Sequence, residues 1–306
     1  MRKKYKIFYN NDNHQFLFFI SEFWKMKIAV IILNYNSSDD CRKCVSFLKQ
    51  QEGVELELVL VDNCSPDGDK VEAFCSEQGY TFIASLENRG YNAGNNIGLR
   101  YAAEKGYKYA LIANPDMEFP QTNYVKRLVE VMEQDEEIVV AGSDIVGVDG
   151  IHQNPLVRDG NWTTSFNWIK GLFRKKNIDA YEFIDNYKDS HYCAKISGCC
   201  LMVRMDFIRD IRFFDEHPFL YCEEPILSRQ VEIAGKRMFY TAEAQAIHRH
   251  IATTKGDSVK RFHCWKRSRL YFIKRYSNDS WIGKEIATFS TILYTQLFTF
   301  AKKIQR

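Results

Sequence analysis

KIAVIILNYN (Lys27–Asn36) sets an apolar run rich in β-branched residues against an abrupt polar ending. Closed by NYNSSDD, it reads as a buried strand that gives way to a loop and a helix cap. The signal then recurs along the chain. ELELVLVD (Glu55–Asp62) ends in DNCSPDGD, YTFIAS (Tyr80–Ser85) stops before ENRGYNAGNN, and KYALIAN (Lys108–Asn114) runs into Pro115-Asp116. Helical stretches fall between these strands, near Asp39–Gln50, Asp69–Gln78, Asn92–Lys105 and Thr122–Gln134. Strand alternating with helix implies right-handed βαβ units: an α/β fold whose central sheet is mostly parallel and flanked by helices. Open sheets of this kind bind ligands outside the carboxyl ends of their strands. All four loops at those ends are rich in Asn, Asp, Ser and Gly.

The 306 residues, 45% hydrophobic, are enough for one large or two modest domains with a real core. Net charge is only +3, yet Lys255–Arg306 holds twelve Lys or Arg against three Asp or Glu. Such an end favours anionic partners, a membrane surface or a phosphate-bearing substrate. Nine cysteines without a credible signal peptide suggest a reducing, cytoplasmic setting and free thiols. Cys41 and Cys44 form a CxxC, but no second pair stands at zinc-ligand spacing, so they read as helical cysteines. FLFFI (Phe16–Ile20) is too short to span a bilayer, and residues 1–25 read as a dispensable N-terminal extension ahead of a domain at 26–250. Within it, about 142–190 loses periodicity around Trp162 and WIKGLFRKK (Trp168–Lys176), as a variable acceptor-side insertion would. AKISGCCLMVRM (Ala194–Met205) reads as a strand, and 251–306 as a basic helical region.

Several positions carry chemistry. Asp62, with Asn63 and Ser65, suits hydrogen bonds to a base or ribose; an Asx turn would use the same residues. ENRGYNAGNNIG (Glu87–Gly98) lacks the GxGxxG spacing and follows the third strand, which argues against a dinucleotide-dependent dehydrogenase. Its glycines allow close backbone approach, and Asn95 caps or lines a helix N-terminus suited to an anion. Asp116 follows a buried strand, where a hard cation would complete its shell with phosphates and waters; the alternative is a helix cap. His248 and His250 could join a carboxylate on a borderline metal. In FLYCEEPILSRQ (Phe219–Gln230), Glu223 and Glu224 sit among apolar residues, where desolvation raises basicity. A first helical turn would also hold Pro225 and both carboxylates.

Taken in order, IILNYN, LVLVDNCSPDGD, NRGYNAGNN, NPD, SGCCLMVR, FFDEHPFLYCEE and the late histidine resemble a family-2 glycosyltransferase of GT-A fold, Rossmann-like with C-terminal helices. The likeness, over roughly Met26–Arg275, is greatest to bacterial rhamnosyltransferase-like enzymes of surface polysaccharide synthesis. It implies that Asn34 and Asn36 lie in the first donor loop, that Asp62 and Asn63 meet the nucleotide, and that Asn88, Gly90 and Asn95 pack around the nucleotide-sugar. It further implies that Asp116 and His248, with His250 as fallback, hold Mn2+ or Mg2+ on the donor diphosphate. Glu224, or its neighbour Glu223, stands as the base. Many members of that family have a Glu-Asp pair with a second acid two positions later, where this chain has Glu223-Glu224 and Ile226.

The implied reaction is an inverting transfer from a nucleoside-diphosphate sugar, dTDP-rhamnose or a UDP-hexose, to a saccharide or lipid-linked hydroxyl. The competing reading is a non-catalytic sugar-nucleotide-binding subunit. Adjacent carboxylates do not supply the facing pair that glycoside hydrolysis needs. Nucleic acid is not an expected partner. WIGKEIATFSTILYTQLFTFAKK (Trp281–Lys303) suits a helix at an anionic membrane interface on the inner face of the cell membrane, or one packed on the domain or in a homodimer.

Overall fold

The computed structural model describes residues 26–169, 183–249 and 257–304. The expected extension at 1–25, His250, and residues 170–176 of the tryptophan-bearing stretch lie outside them.

Strand β1 (Lys27–Asn34) lies parallel to β2 (Glu55–Asp62), in register from Lys27↔Glu55 to Asn34↔Asp62. Strands β3 (Thr81–Ala84) and β4 (Tyr109–Ala113) add in parallel on either side. Alternate residues of β1 serve opposite faces, as pleating requires. Ile28, Val30 and Ile32 pack with Cys41, Cys44 and Val45 of α1 (Ser38–Leu48) and with Leu128 of α4 (Tyr124–Gln134). Ala29, Ile31 and Leu33 pack with Leu99 and Ala102 of α3 (Tyr91–Glu104). Helix α2 (Gly68–Gln78) joins β2 to β3. The CxxC cysteines are therefore core residues on one helix face.

Beyond β4 the sheet continues through β8 (Cys200–Arg204), β6 (Ile138–Gly147) and β9 (Arg237–His248), with β5 (Met117–Glu118) and β7 (His191–Cys193) paired to β9. β8 is antiparallel to both β4 and β6, and β9 is parallel to β6. Six strands thus run one way, which makes the sheet mostly parallel. β6 is a strand the sequence reading did not assign; residues 142–147, grouped there with the insertion, are sheet. Only Cys200–Arg204 of the expected Ala194–Met205 strand is β. Its first half is drawn off by other partners: the Leu156 amide donates to Lys195 O, and the Ser197 amide to Asn154 Oδ1. Met205 opens α5 (Met205–Asp210).

Helix α6 (Glu223–Ile233) precedes β9. Helices α7 (Ser258–Arg275) and α8 (Trp281–Ile304) close the chain, α7 capped by the Asp257 carboxylate. Against α8 lies a 3-10 turn, Trp162–Phe166, whose Ser165 carbonyl accepts from Ser290.

Candidate active site

The carboxyl ends of β1 and β2 carry a closed polar network. Buried Asn34 donates to Asp62 Oδ1 at 2.8 Å and to Asp67 Oδ1 at 3.0 Å. The Ser65 amide donates to Asp62 Oδ2 and the Ser65 hydroxyl to Asp67, while the amide of exposed Asn36 donates to Ser65 Oγ. Asp62 therefore sits in the Asx-type turn foreseen as one alternative. Burial pushes the Asp67 carboxyl up, but hydrogen bonds from Ser65, Asn34 and the Ser38 amide outweigh it and hold it far below the usual carboxylate range.

Asn63 donates to Asn88 Oδ1 and to the Gly90 carbonyl, which ties this network to the start of α3. Gly90 has φ 104°, and a Cβ there would lie 2.2 Å from the Phe219 carbonyl oxygen. Only glycine fits this crossing, which brings the loop before α3 against the loop leading to Glu223. The first amide of α3, Tyr91 N–H, donates to Phe219 O. Asn95 lies one turn into the helix rather than at its cap. It donates to Tyr91 O, and its buried Oδ1 has no hydrogen-bond partner. Asn92 and Asn96 hold the neighbouring loop by its backbone, through Asp215 O and through both the amide and carbonyl of Phe214.

Asp116 and His248 meet where β5 pairs with the end of β9, Met117 opposite His248. Asp116 Oδ1 and His248 Nε2 are 3.3 Å apart. His248 Nδ1 lies 2.8 Å from Gln153 Oε1, so an N–H there directs Nε2 toward Asp116. Burial opposes charge on His248, but hydrogen bonds to Asp116 and Cys199 and the nearby negative charge raise it to about 10. Gln153 is placed by the return of the chain after β6: its amide donates to Ile145 O, and its neighbour His152 bonds Asp144 and stacks on Tyr187.

One carboxylate oxygen and one imidazole nitrogen at this separation fit a divalent ion of Mn2+ character. Among the described residues no third His, Cys, Asp or Glu completes a cluster. The remaining ligands would be phosphate oxygens and water, as hard ions accept.

Beside this pair opens a cleft of about 860 Å³, lined by Glu223, Glu224, His248, Asn114 and Gly198, with Trp168, Tyr221, Trp265 and Tyr294 as aromatic walls. Glu223 and Glu224 begin α6, with Pro225 in its first turn. Tyr221 and Cys222, just before them, both hold positive φ, 74° and 68°. Two successive non-glycine residues in that region are costly, and such strain gathers at functional sites. Gly198 N–H donates to Glu224 Oε1 at 3.2 Å. Glu223 Oε1 is buried without a hydrogen-bond partner; burial, then the charge of Glu224, push its carboxyl up to about 7. Ile226, two positions after the pair, is fully buried against Cys222 and Phe272. Tyr91 hydroxyl reaches Asn114 Oδ1 (2.8 Å) and Gly198 O (2.7 Å), joining the end of β4 to the loop before β8.

The cleft thus gathers Glu223, Glu224 and His248, with Asp116 behind His248. Asn34, Asp62, Asn63 and Asn88 form a separate group one strand over, linked to the cleft through Gly90. Sequence reasoning passed over Tyr91, Asn92, Asn96, Asn114, Asp67 and Gln153. Asn92 and Asn96 had a signal, the i,i+4 spacing that places two side chains on one helix face.

A family model described as glycosyl transferase family 2 matches residues 29–212. The chain belongs to that family. Similar proteins include the low-salt glycan biosynthesis hexosyltransferase Agl10 of Haloferax volcanii, 27% identical over 64% of this chain and 59% of that protein. The chain thus spans less than two thirds of that relative. The N-acetylglucosaminyl-diphospho-decaprenol L-rhamnosyltransferase of Mycobacterium tuberculosis is 21% identical, covering 83% of this chain and 86% of its own. Rhamnosyltransferase WbbL of Escherichia coli is 23% identical over 81% and 93%. Among solved structures, S. aureus TarS 1-349 superposes with TM-score 0.53 at 14% identity, over 87% of this chain and 71% of that one. GalNAc-T7 with UDP, GalNAc and Mn2+ superposes with TM-score 0.56 at 13% identity, over 87% and 54%. The fold is that of the GT-A glycosyltransferases.

Proposed function

We propose that this chain is an inverting glycosyltransferase that moves a hexosyl or rhamnosyl unit from a nucleoside-diphosphate sugar to a hydroxyl of a saccharide, lipid-linked or free. The observation that carries the reading is the cleft that brings Glu223 and Glu224 onto the same walls as His248, with Asp116 at 3.3 Å from the imidazole.

Asn34, Asn36, Asp62 and Asn63 bind the nucleotide, and Asn88, Gly90 and Asn95 shape the wall beside the sugar. Asp116 and His248 would hold Mn2+ or Mg2+. Bound there, the ion supplies Lewis-acid stabilisation of the charge that develops on the leaving diphosphate. Glu224, steadied by the Gly198 amide on one oxygen, takes the acceptor proton with the other. The acceptor oxygen forms its bond to the anomeric carbon as the bond to diphosphate breaks, the electron pair leaving with the phosphate. Glu223 is the poised neighbour, its proton held by burial and by the charge of Glu224. The aromatic walls suit the faces of acceptor sugar rings. Arg269 is the arginine among the residues lining the cleft, and its guanidinium is suited to an acceptor phosphate.

A panel of dTDP-rhamnose and UDP-hexoses with Mn2+, scored for nucleotide release with and without acceptor lipid, tests this. Acceptor-dependent release from one donor is expected. Donor binding without release in any combination would favour the binding-subunit reading instead.

A further inference from the structure

Helix α8 is built inside out. Its buried positions are Gly283, Ala287, Ser290, Thr291 and Thr295, small or hydroxylated residues. Thr291, Thr295 and Thr299 return their hydroxyls to the carbonyls four residues back, and Ser290 bonds Ser165 O and the Trp168 indole. Tyr294 and Phe298 pack on Phe262 of α7, but five other large apolar side chains point away from the fold. Ile282, Phe289, Leu297, Phe300 and Ile304 are between 45% and 70% exposed. On a helix turning about 100° per residue these five fall within an arc of about 80°. Ile286 and Leu293, half-buried, lie inside the same arc.

A stripe about 33 Å long on a folded helix needs a partner, since contiguous exposed apolar surface marks an interaction site. No helix among the described residues is long and apolar enough to cross a membrane. Charge selects among the remaining occupants. The two closing helices lie in a stretch with twelve Lys or Arg against three Asp or Glu. Lys260, Arg261, Arg267, Lys274, Arg275 and Lys303 are exposed. Two copies meeting on this face would bring like charges together, whereas an anionic lipid surface attracts them, each basic residue near it adding to binding.

We propose that α8 lies in the interface of an anionic bilayer, its Ile282–Ile304 stripe among the acyl chains and the basic residues of α7 and α8 among the headgroups. The opposite side of the same helix supplies Thr291 and Tyr294 to the cleft, and α7 supplies Trp265 and Arg269. Docking therefore sets the cleft at the membrane surface, where a lipid-linked acceptor would present its sugar; this last step rests on the glycosyltransferase reading.

The test is flotation of the full chain with phosphatidylcholine vesicles, with and without phosphatidylglycerol. Recovery is expected with the anionic vesicles alone, falling with added salt. Phe289→Glu/Phe300→Glu and, separately, Lys302→Glu/Lys303→Glu should each lower partitioning at least about tenfold. Unchanged melting temperature and nucleotide-sugar affinity show that the variants fold. Equal recovery of the variants overturns the proposal, as does a wild-type dimer by sedimentation that the phenylalanine variant converts to monomer with no vesicle binding. A chain that floats as expected but binds no nucleotide-sugar would retain the membrane surface and remove the glycosyltransferase reading.

Discussion

The ends of β1 and β2 and the cleft beside α6 are both polar sites on one sheet, but they are held in opposite ways. At the first, Asn34, Asp62, Ser65 and Asp67 satisfy one another, and Asp67 is kept ionised by its donors. At the second, Glu223 has a buried oxygen without a partner, and Tyr221 and Cys222 hold left-handed backbone just before it. A satisfied network fixes shape and suits recognition. A buried carboxyl oxygen without a partner and local backbone strain are features that gather at functional sites. The proposed function assigns binding to the first and chemistry to the second.

Substitutions on the two sides should therefore fail differently. Glu224→Gln should cost about 10²–10⁴-fold in turnover and leave donor affinity nearly intact, read by steady-state rates beside calorimetric donor titration. Asp62→Ala should instead weaken donor binding more than it lowers the rate at saturation. A mirror-image result would erase the distinction.

Next in size is Gln153→Leu. Loss of the Nδ1 partner of His248 should lower Mn2+ affinity about 10–100-fold, measured directly by titration, while Gln153→Glu restores much of it. Unchanged affinity would mean that the imidazole needs no such orientation.

Glu223→Gln is the subtler probe. The Glu223 carboxyl is raised from 4.5 to about 7, so the folded state favours its proton. That contribution is fully present below about 4.5 and is lost as pH rises through about 7. The wild type should thus lose up to about 3 kcal/mol between pH 5 and 8 that the glutamine variant keeps. Parallel pH dependence of the two melting temperatures would count against a buried carboxyl raised by desolvation.

The parallel half of the sheet was legible because each strand carries an apolar stretch closed by turn residues. The predicted Glu55–Asp62 strand is the observed β2, and Asn34 and Asp62 fall side by side because the strands pair in register. β6 was missed because EEIVVAGSDIVG (Glu136–Gly147) leads into the irregular segment and has Gly142 and Asp144 in its middle; its pairing with β9 reaches across some hundred residues and leaves no local mark. Gln153 was invisible for the same reason, since its position depends on that strand. The Glu223-Glu224 pair could be found from its apolar flanks, but Ile226 could not be understood until it appeared packed against Phe272.

The most direct test of the central claim is nucleotide release by wild type and Glu224→Gln across dTDP-rhamnose and UDP-hexose donors, with Mn2+ and an acceptor lipid. Acceptor-dependent release from one donor by the wild type is expected, and almost none by a variant that still binds that donor. Equal release by the two would contradict that claim.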